Sequence, residues 1–186
     1  MKTLSVLSLI VIIVITISCS SVTVITDQDK TVDFSVYKTY NFLGWQQNSD
    51  KIMNEFDKKR MQDAFVKEFE NRGMQLVKEN GDMAVSLFIV VDQKTTTTAY
   101  TDYYGGYGGY HRYRYGWGYG YATTTYSESD YLEGTLVMDA FDGKTKDQIW
   151  QGVAKSTINE NPDKREKSIP KKVAILMNKF PVEPVN

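Results

Sequence analysis

The chain has 186 residues, and its charge is almost balanced, with 22 basic and 23 acidic side chains. This length predicts a single domain, and the lack of a basic excess argues against a protein that binds nucleic acid. The single cysteine excludes an intrachain disulfide and any metal site that needs two cysteine ligands.

The first residues have the pattern of a secretory signal peptide. Lys2 provides a positive start, an apolar run extends from Leu4 to Ile17, and the small residue Ser18 precedes Cys19. This order of features is typical of an export signal. The run is shorter than the roughly 20 apolar residues that a membrane-spanning helix needs. Residues 1–18 are therefore predicted to be a signal peptide that is removed.

The sequence Thr16-Ile17-Ser18-Cys19 resembles the lipobox of bacterial lipoproteins, although Thr16 departs from the aliphatic residue usual there. The resemblance implies cleavage before Cys19, diacylglycerol on its thiol and an acyl chain such as palmitate on its amine. Several acyl chains, each adding about 0.8 kcal/mol per buried methylene, would hold the protein on a membrane. Ser20 resembles the sorting signal for the outer membrane, with the domain on its periplasmic face. An uncleaved anchor and an ordinary signal peptide are the alternatives.

The mature chain is expected to start with a polar tether, residues 19–30, followed by one domain over residues 31–182. The first regular element of the domain is a strand. Between residues 36 and 43, β-branched and aromatic side chains alternate with polar ones, which is the pattern of a strand with one buried face.

A helix is predicted over residues 51–72. Ser49-Asp50 provide its N-cap, and Gly73 occupies the position of a C-cap glycine. Four apolar residues recur at helical spacing and would face the core: Met61, Ala64, Phe65 and Phe69.

Two strands are expected next, over residues 74–77 and 83–92. The turn residues Asn80-Gly81-Asp82 separate them, so the two strands are expected to form an antiparallel hairpin. Residues 83–92 are almost wholly apolar and predict the most buried strand of the sheet.

The clearest hairpin pairs residues 132–141 with residues 148–156 across a glycine-containing loop. After a polar linker, 157–167, Ser168 and Pro170 mark the start of a second helix. Its apolar stripe consists of Ile169, Val173, Leu176, Met177 and Phe180. Because hairpins outnumber crossovers, we expect an α+β fold with a mainly antiparallel sheet and two helices packed on one face.

Residues 95–130 form a Thr/Tyr/Gly-rich insertion between two predicted strands. Within it, residues 100–121 hold nine of the 13 tyrosines and seven of the 13 glycines. The threonine tracts 95–98 and 123–125 favour strands that pair and continue the neighbouring strands outward. This leaves the Tyr/Gly-rich part as an extended loop.

Three interpretations of this loop are open. It is a low-complexity loop without a ligand, a surface that binds an envelope protein or polysaccharide, or a binder of single-stranded nucleic acid. Little positive charge and a location outside the cytoplasm argue against a nucleic-acid partner. The candidate interaction residues are Tyr103, Tyr104, Tyr107, Tyr110, Arg112, Tyr113, Arg114, Tyr115, Trp117, Tyr119 and Tyr121.

The sequence shows no catalytic or metal-binding pattern. His111 is the only histidine, and no second histidine or free cysteine accompanies it. No nucleophile elbow or phosphate-binding glycine loop occurs, and acidic pairs such as Asp139 with Asp142 are typical of solvated turns. We therefore expect a protein that is not an enzyme, with no catalytic residue, no metal and no cofactor.

Six short motifs, taken in order, resemble the bacterial lipoprotein family called domain of unknown function 4136. They are Phe34-Ser35-Val36-Tyr37-Lys38-Thr39-Tyr40-Asn41-Phe42, Arg72-Gly73-Met74, Gly81-Asp82-Met83-Ala84-Val85, Gly134-Thr135-Leu136-Val137-Met138-Asp139, Ile149-Trp150-Gln151-Gly152, and Ala174-Ile175-Leu176 followed by Phe180-Pro181. The resemblance covers about residues 22–181. It implies an envelope lipoprotein of α+β build and supplies no catalytic residues.

The leading hypothesis is a membrane-anchored envelope lipoprotein without enzymatic activity, whose domain binds or scaffolds envelope components. The alternative is a carrier that holds a small molecule or lipid in a cleft between sheet and helices, and a hydrolase is the third hypothesis. An exposed aromatic patch would indicate the first, an apolar cavity the second, and a pocket with converging polar groups the third.

Overall fold

The computed structural model describes residues 22–46, 53–103 and 122–185. The predicted signal peptide, Cys19, the predicted N-cap Ser49-Asp50 and most of the Tyr/Gly-rich segment lie outside these residues. In the described part of the chain, no helix is both long and apolar enough to cross a membrane.

Six strands form one sheet. They are β1 (Thr23–Gln28), β2 (Thr39–Trp45), β3 (Gln75–Leu76), β4 (Met83–Tyr103), β5 (Ala122–Asp142) and β6 (Gln148–Thr157). Their order across the sheet is β1-β6-β5-β4-β2-β3. A polar tether was predicted over residues 19–30. This prediction is wrong for residues 23–28, which form β1 and pair antiparallel with β6. Five of the six β1 side chains are exposed, so the strand lacks the apolar alternation that would reveal it in the sequence.

The prediction of a mainly antiparallel sheet is wrong, because the sheet is mixed. Strand β2 runs parallel to both β3 and β4, whereas the other three pairs are antiparallel. The predicted hairpin of residues 74–77 with 83–92 is also wrong, since β3 and β4 lie on opposite sides of β2. Their connection passes the start of β2, where Asp82 accepts hydrogen bonds from the hydroxyl of Thr39 and the amides of Lys38 and Thr39. These bonds hold the pKa of the Asp82 carboxyl below its usual range.

Strand β2 begins later than the predicted range of 36–43. Phe34–Val36 form one turn of 3₁₀ helix, because the Asp33 carboxylate accepts a hydrogen bond from the amide of Ser35 at 2.9 Å and caps the turn. Extended backbone therefore starts only at Thr39.

Two helices pack on one face of the sheet, α1 (Glu55–Glu70) and α2 (Pro162–Met177). Each begins after an asparagine N-cap, so α1 starts later and α2 earlier than predicted. Proline is favoured in the first helical turn, and Pro162 rather than Pro170 occupies that position. Pro170 lies inside α2 on its exposed side.

The core lies between the helices and this face of the sheet. The apolar stripe predicted for the second helix is entirely buried, as are Ala64, Phe65 and Phe69 of α1. The buried strand predicted from the sequence corresponds to the first residues of β4. The side chains of these residues that face the core are less than 5% exposed. Of the buried side chains in the described ranges, Trp150 of β6 is the largest. The predicted pairing of residues 132–141 with 148–156 is confirmed by the antiparallel β5–β6 pair.

Strands β4 and β5 continue beyond the rest of the sheet as a two-stranded arm, residues 93–103 and 122–132. Strand β6 stops pairing with β5 at Thr157, whereas β4 and β5 stay paired as far as Tyr103 and Ala122. Each strand of the arm has eleven residues, and the ten steps between them, at about 3.3 Å each, give the arm a length of about 33 Å.

The threonine tracts lie in this arm, so the prediction that they continue the strands outward is confirmed. They do not pair with each other, however. Residues 95–98 lie opposite residues 127–130, and residues 123–125 lie opposite residues 100–102.

The chain enters the sheet at the arm end. Thr23 of β1 lies beside Lys155, which lies beside Thr135, which lies beside Val90 of β4. From Thr23, β1 runs away from the arm, so its first residue lies at the arm end of the sheet.

Several of the sequence motifs lie in the core and at the opposite end of the sheet. The Tyr37 hydroxyl donates a hydrogen bond to Asp142 at 2.9 Å, and burial together with this bond raises the pKa of Tyr37 to about 12. The buried guanidinium of Arg72 donates to Glu68 and to the backbone oxygen of Met177, both at 2.7 Å. Arg72 thus joins the C-terminal ends of both helices. These motif residues hold structural elements together.

Candidate functional site: a cleft between the sheet and the helices

A cleft with a volume of about 220 Å³ lies between the sheet and both helices, near the base of the arm. Apolar side chains from both layers line it: Met61, Ile89, Val91, Leu132, Leu136 and Ile169. An apolar cavity is the feature expected of the carrier hypothesis.

Small side chains in adjacent strands explain why the core leaves this space open. Gly134 of β5 lies opposite Val91 of β4 on one side and opposite Ser156 of β6 on the other. Ala154, two residues earlier in β6, lines the same cleft. Because these neighbouring residues are a glycine, an alanine and a serine, their small side chains leave a gap between the sheet and the two helices.

The rim of the cleft carries a buried carboxylate, Asp57, which is 4% exposed. Its backbone amide donates to the side-chain oxygen of Asn54 at 2.9 Å, as expected for an N-cap, and its carboxylate accepts from the side-chain amide of Asn54 at 3.1 Å. The same carboxylate accepts from Arg60 of α1 and from Arg165 of α2, both at 2.7 Å. Asp57 therefore links the N-terminal turns of the two helices at the mouth of the cleft.

Lys172 of α2 places a half-buried cation on the rim. Its ammonium group donates to the backbone oxygen of Thr157 at 2.7 Å, and burial lowers the pKa of the group. Among residues 22–46, 53–103 and 122–185, no carboxylate forms an ion pair with Lys172. An anionic group that entered the cleft would meet a poorly solvated cation there and form a charge-assisted hydrogen bond.

Apolar walls, with a rim cation that forms no ion pair in the described part of the chain, favour noncovalent binding. The volume is below the roughly 300 Å³ at which pockets for drug-sized ligands begin, so the cleft suits a small ligand or one end of a longer one. Within the described ranges, no group of three or more His, Cys, Asp or Glu side chains could hold a metal ion.

The interaction residues predicted from the sequence fall almost entirely outside the described chain. Tyr103 is the last residue of β4, and its backbone lies opposite Ala122. The remaining candidates, together with Cys19, lie outside the described residues and stay predictions: Tyr104, Tyr107, Tyr110, Arg112, Tyr113, Arg114, Tyr115, Trp117, Tyr119 and Tyr121.

Three rim residues were missed in the sequence: Asp57, Arg165 and Lys172. The arginine lay in the segment predicted as a linker, because the helix start was placed at Ser168. An earlier signal was present in residues 161–163, where asparagine, proline and aspartate form an N-cap followed by a first helical turn. A helix that starts there places the arginine and the lysine seven positions apart, on one face.

Comparison with solved structures finds similar chain folds at low sequence identity. One is a PDZ domain protein from Parabacteroides distasonis ATCC 8503, with a TM-score of 0.48 and 13% identity over 91% of this chain. This chain spans only 39% of the length of that structure. Another is the PelC dodecamer from Paraburkholderia phytofirmans, with a TM-score of 0.47 and 9% identity over 89% of this chain and 100% of that one.

None of the curated proteins compared with the sequence matches it. A protein family described as "Domain of unknown function (DUF4136)" matches residues 24–182, which is most of the chain and includes every described strand and helix except the first residue of β1. The order of the six motifs predicted this family. The chain belongs to the DUF4136 family.

Proposed function

We propose that the chain is an envelope protein without enzymatic activity, whose domain binds a small apolar or amphipathic molecule in the cleft. The observation that carries the proposal is the cleft itself, which has apolar walls in both layers and a half-buried cation at its rim. The apolar part of the ligand would contact Ile89 and Val91. Lys172 would meet an anionic end.

Lipidation of Cys19 would hold this cleft near a membrane, which we propose to be the outer membrane at its periplasmic face. Thr23, the first residue of β1, follows Cys19 by four positions, so the two lie at most about 14 Å apart. Since β1 enters the sheet at the end that carries the arm and the cleft, a ligand could pass between the membrane surface and the cleft over a short distance.

Filling the cleft is expected to abolish most of its ligand binding. Val91→Trp places an indole ring where the ligand would lie. We expect a loss of about tenfold in affinity, or about 1.4 kcal/mol, for N-phenyl-1-naphthylamine, an uncharged three-ring probe. Fluorescence titration of the purified protein measures this affinity. The matched control is Val90→Trp on the opposite face of the same strand, which should bind like the parent. Equal affinities of the two variants would exclude the cleft as the binding site.

A charged probe distinguishes the contribution of Lys172 to binding from that of the apolar walls of the cleft. 1-Anilinonaphthalene-8-sulfonate adds one sulfonate to the uncharged probe. Lys172→Met should weaken binding of the sulfonate by about tenfold and leave the uncharged probe unchanged, because a charged hydrogen bond of about 1.5 kcal/mol is lost. Lys172→Arg should retain the preference for the sulfonate.

A second candidate function is binding of an envelope protein or polysaccharide through the Tyr/Gly-rich segment. The observation that favours it is the arm, since β4 and β5 carry both ends of residues 104–121 about 33 Å away from the sheet. Tyrosine and arginine side chains at such a site offer ring faces and hydrogen-bond donors to a partner.

Fractionation of bacterial envelopes tests the anchor and this segment in one experiment. Cys19→Ala should release the protein from the membrane fraction, because the acceptor of the lipid is lost. Deletion of residues 104–121 should leave the protein on the membrane and remove its crosslinked partners. Membrane retention of Cys19→Ala would contradict acylation at Cys19, and unchanged partners after the deletion would contradict binding through the segment.

A further inference from the structure

Among the described residues, no further strand pairs with either edge of the arm, and the hydrogen bonds at its base show which backbone groups face these edges. In an antiparallel ladder, alternate residues direct their amide and carbonyl groups to the two sides. The Leu87 carbonyl of β4 accepts from Gln46, on the side away from β5. Because the β4–β5 register continues without a shift, Thr95 and Thr97 point their backbone groups to that same outer side.

The two edges of the arm differ in charge. Exposed edge strands usually carry charges or bulges that block pairing with another chain. The β5 edge carries Glu128 and Asp130. The β4 edge has Lys94 at its base and Asp102 near its end, and the seven residues between them are uncharged and rich in threonine. This edge therefore lacks charge over the stretch where a further strand could pair.

The β4 edge is complementary to itself in one register. Antiparallel pairing of two copies about a two-fold axis at Thr98 places Lys94 of one copy opposite Asp102 of the other, on both sides of the axis. The pairs 95 with 101 and 97 with 99 then join residues whose backbone groups face outward. A parallel arrangement would set like charges side by side, and pairing through the β5 edge would bring acidic residues together.

We propose that the β4 edge of the arm pairs antiparallel with a second copy of this chain, with Thr98 at the two-fold axis. The pairing turns two ribbons into one four-stranded sheet, and a two-stranded ribbon alone is only marginally stable in water. Such an interface is isologous and closed, so it produces dimers and not filaments.

A cysteine at the axis tests this register. In a pair without mutual hydrogen bonds, opposite Cα atoms lie about 4.5 Å apart, which is within the range of a disulfide. The full chain with Thr98→Cys, expressed in bacterial cells and oxidised mildly, should give a covalent dimer. Ser127→Cys, opposite residue 98 on β5, and Thr96→Cys, two residues from the axis, should give little dimer. The unsubstituted chain controls for Cys19.

Charge exchange provides a second test on the Thr98→Cys background. Lys94→Asp or Asp102→Lys alone should reduce the rate of dimer formation about three- to tenfold, because like charges then lie opposite each other. The two substitutions together should restore it. Equal crosslinking from residues 98 and 127, or no recovery in the doubly exchanged chain, would overturn the proposal.

Discussion

Gly152→Ala is expected to lower the free energy of unfolding by about 2–3 kcal/mol, a large loss for a single methyl group. A Cβ atom at this position of β6 would lie 2.1 Å from Cη2 of Trp150 and 2.9 Å from Cδ1 of Leu176. The Trp150 ring is 1% exposed and stands edge-on to Phe180, with ring centroids 5.3 Å apart. The ring therefore has no free direction in which to move. Chemical denaturation of the purified protein measures the loss.

Two further variants show whether the indole causes this loss. Gly134→Ala on β5 is the matched control, because its new methyl group would meet the side chain of Ile158 at 3.0 Å, at the edge of the cleft. That side chain can rotate, so we expect a loss below about 1 kcal/mol. Trp150→Phe should recover part of the stability lost in Gly152→Ala, since a smaller ring leaves room. Equal losses for both alanine variants would contradict the explanation.

Local periodicity in the sequence predicted the elements that contribute most to the core. The apolar run after Asp82 became a buried strand, and the hairpin across Gly143 formed in the expected pairing. The apolar stripes of both helices are buried or nearly so. In each case one surface of a regular element is apolar and neighbours in the sequence carry the signal, so no knowledge of distant residues is needed.

The sheet topology depends on pairings that leave no such signal. Strand β3 has only two residues, and its contact with β2 is made by backbone groups. The turn residues at Asn80 and Gly81 predicted a hairpin because they reverse the chain locally. They instead carry it past the start of β2, where Gly81 passes so close to Tyr40 that a Cβ would lie 2.7 Å from its backbone. The residues of the turn do not indicate that the chain passes β2. The pairing of β2 with both β3 and β4 in the folded structure shows it.

The sequence suggested a cleft only as an alternative hypothesis, and the residues that form it could not be predicted, for a related reason. Its floor depends on the register of three strands, which places Gly134, Ala154 and Ser156 next to one another. Each of these residues is unremarkable in its own strand. Asp57 and Arg165 are more than a hundred residues apart in the chain, and their ion pair forms only when both helices lie on the same face.

The second large loss of stability is expected when Asp57 is replaced. Asp57→Ala should lower the free energy of unfolding by about 3 kcal/mol, because it removes the carboxylate that Arg60, Arg165 and the Asn54 cap all contact. The side chains of both arginines are partly exposed, at 26% and 18%. They can turn to water, which keeps the loss near the lower end for a broken buried pair.

Asp63→Ala on the same helix is the matched control. Asp63 pairs with Lys59 at 2.9 Å, but both side chains are more than half exposed, and such surface pairs contribute less than about 1 kcal/mol. Asp57→Asn should fall between the two alanine variants, since its amide oxygen still accepts hydrogen bonds without the charge. If Asp57→Ala and Asp63→Ala lose the same stability, Asp57 does not join the helices.

The same substitution connects stability with the proposed ligand. Asp57 holds the N-terminal turns of α1 and α2 together at the mouth of the cleft, so its loss should let these turns separate. Affinity for N-phenyl-1-naphthylamine should then change in Asp57→Ala and stay unchanged in Asp63→Ala, at a temperature where both variants are folded. The probe is uncharged, so a change cannot arise from the lost carboxylate charge. It would show that the contact between the helices sets the width of the cleft.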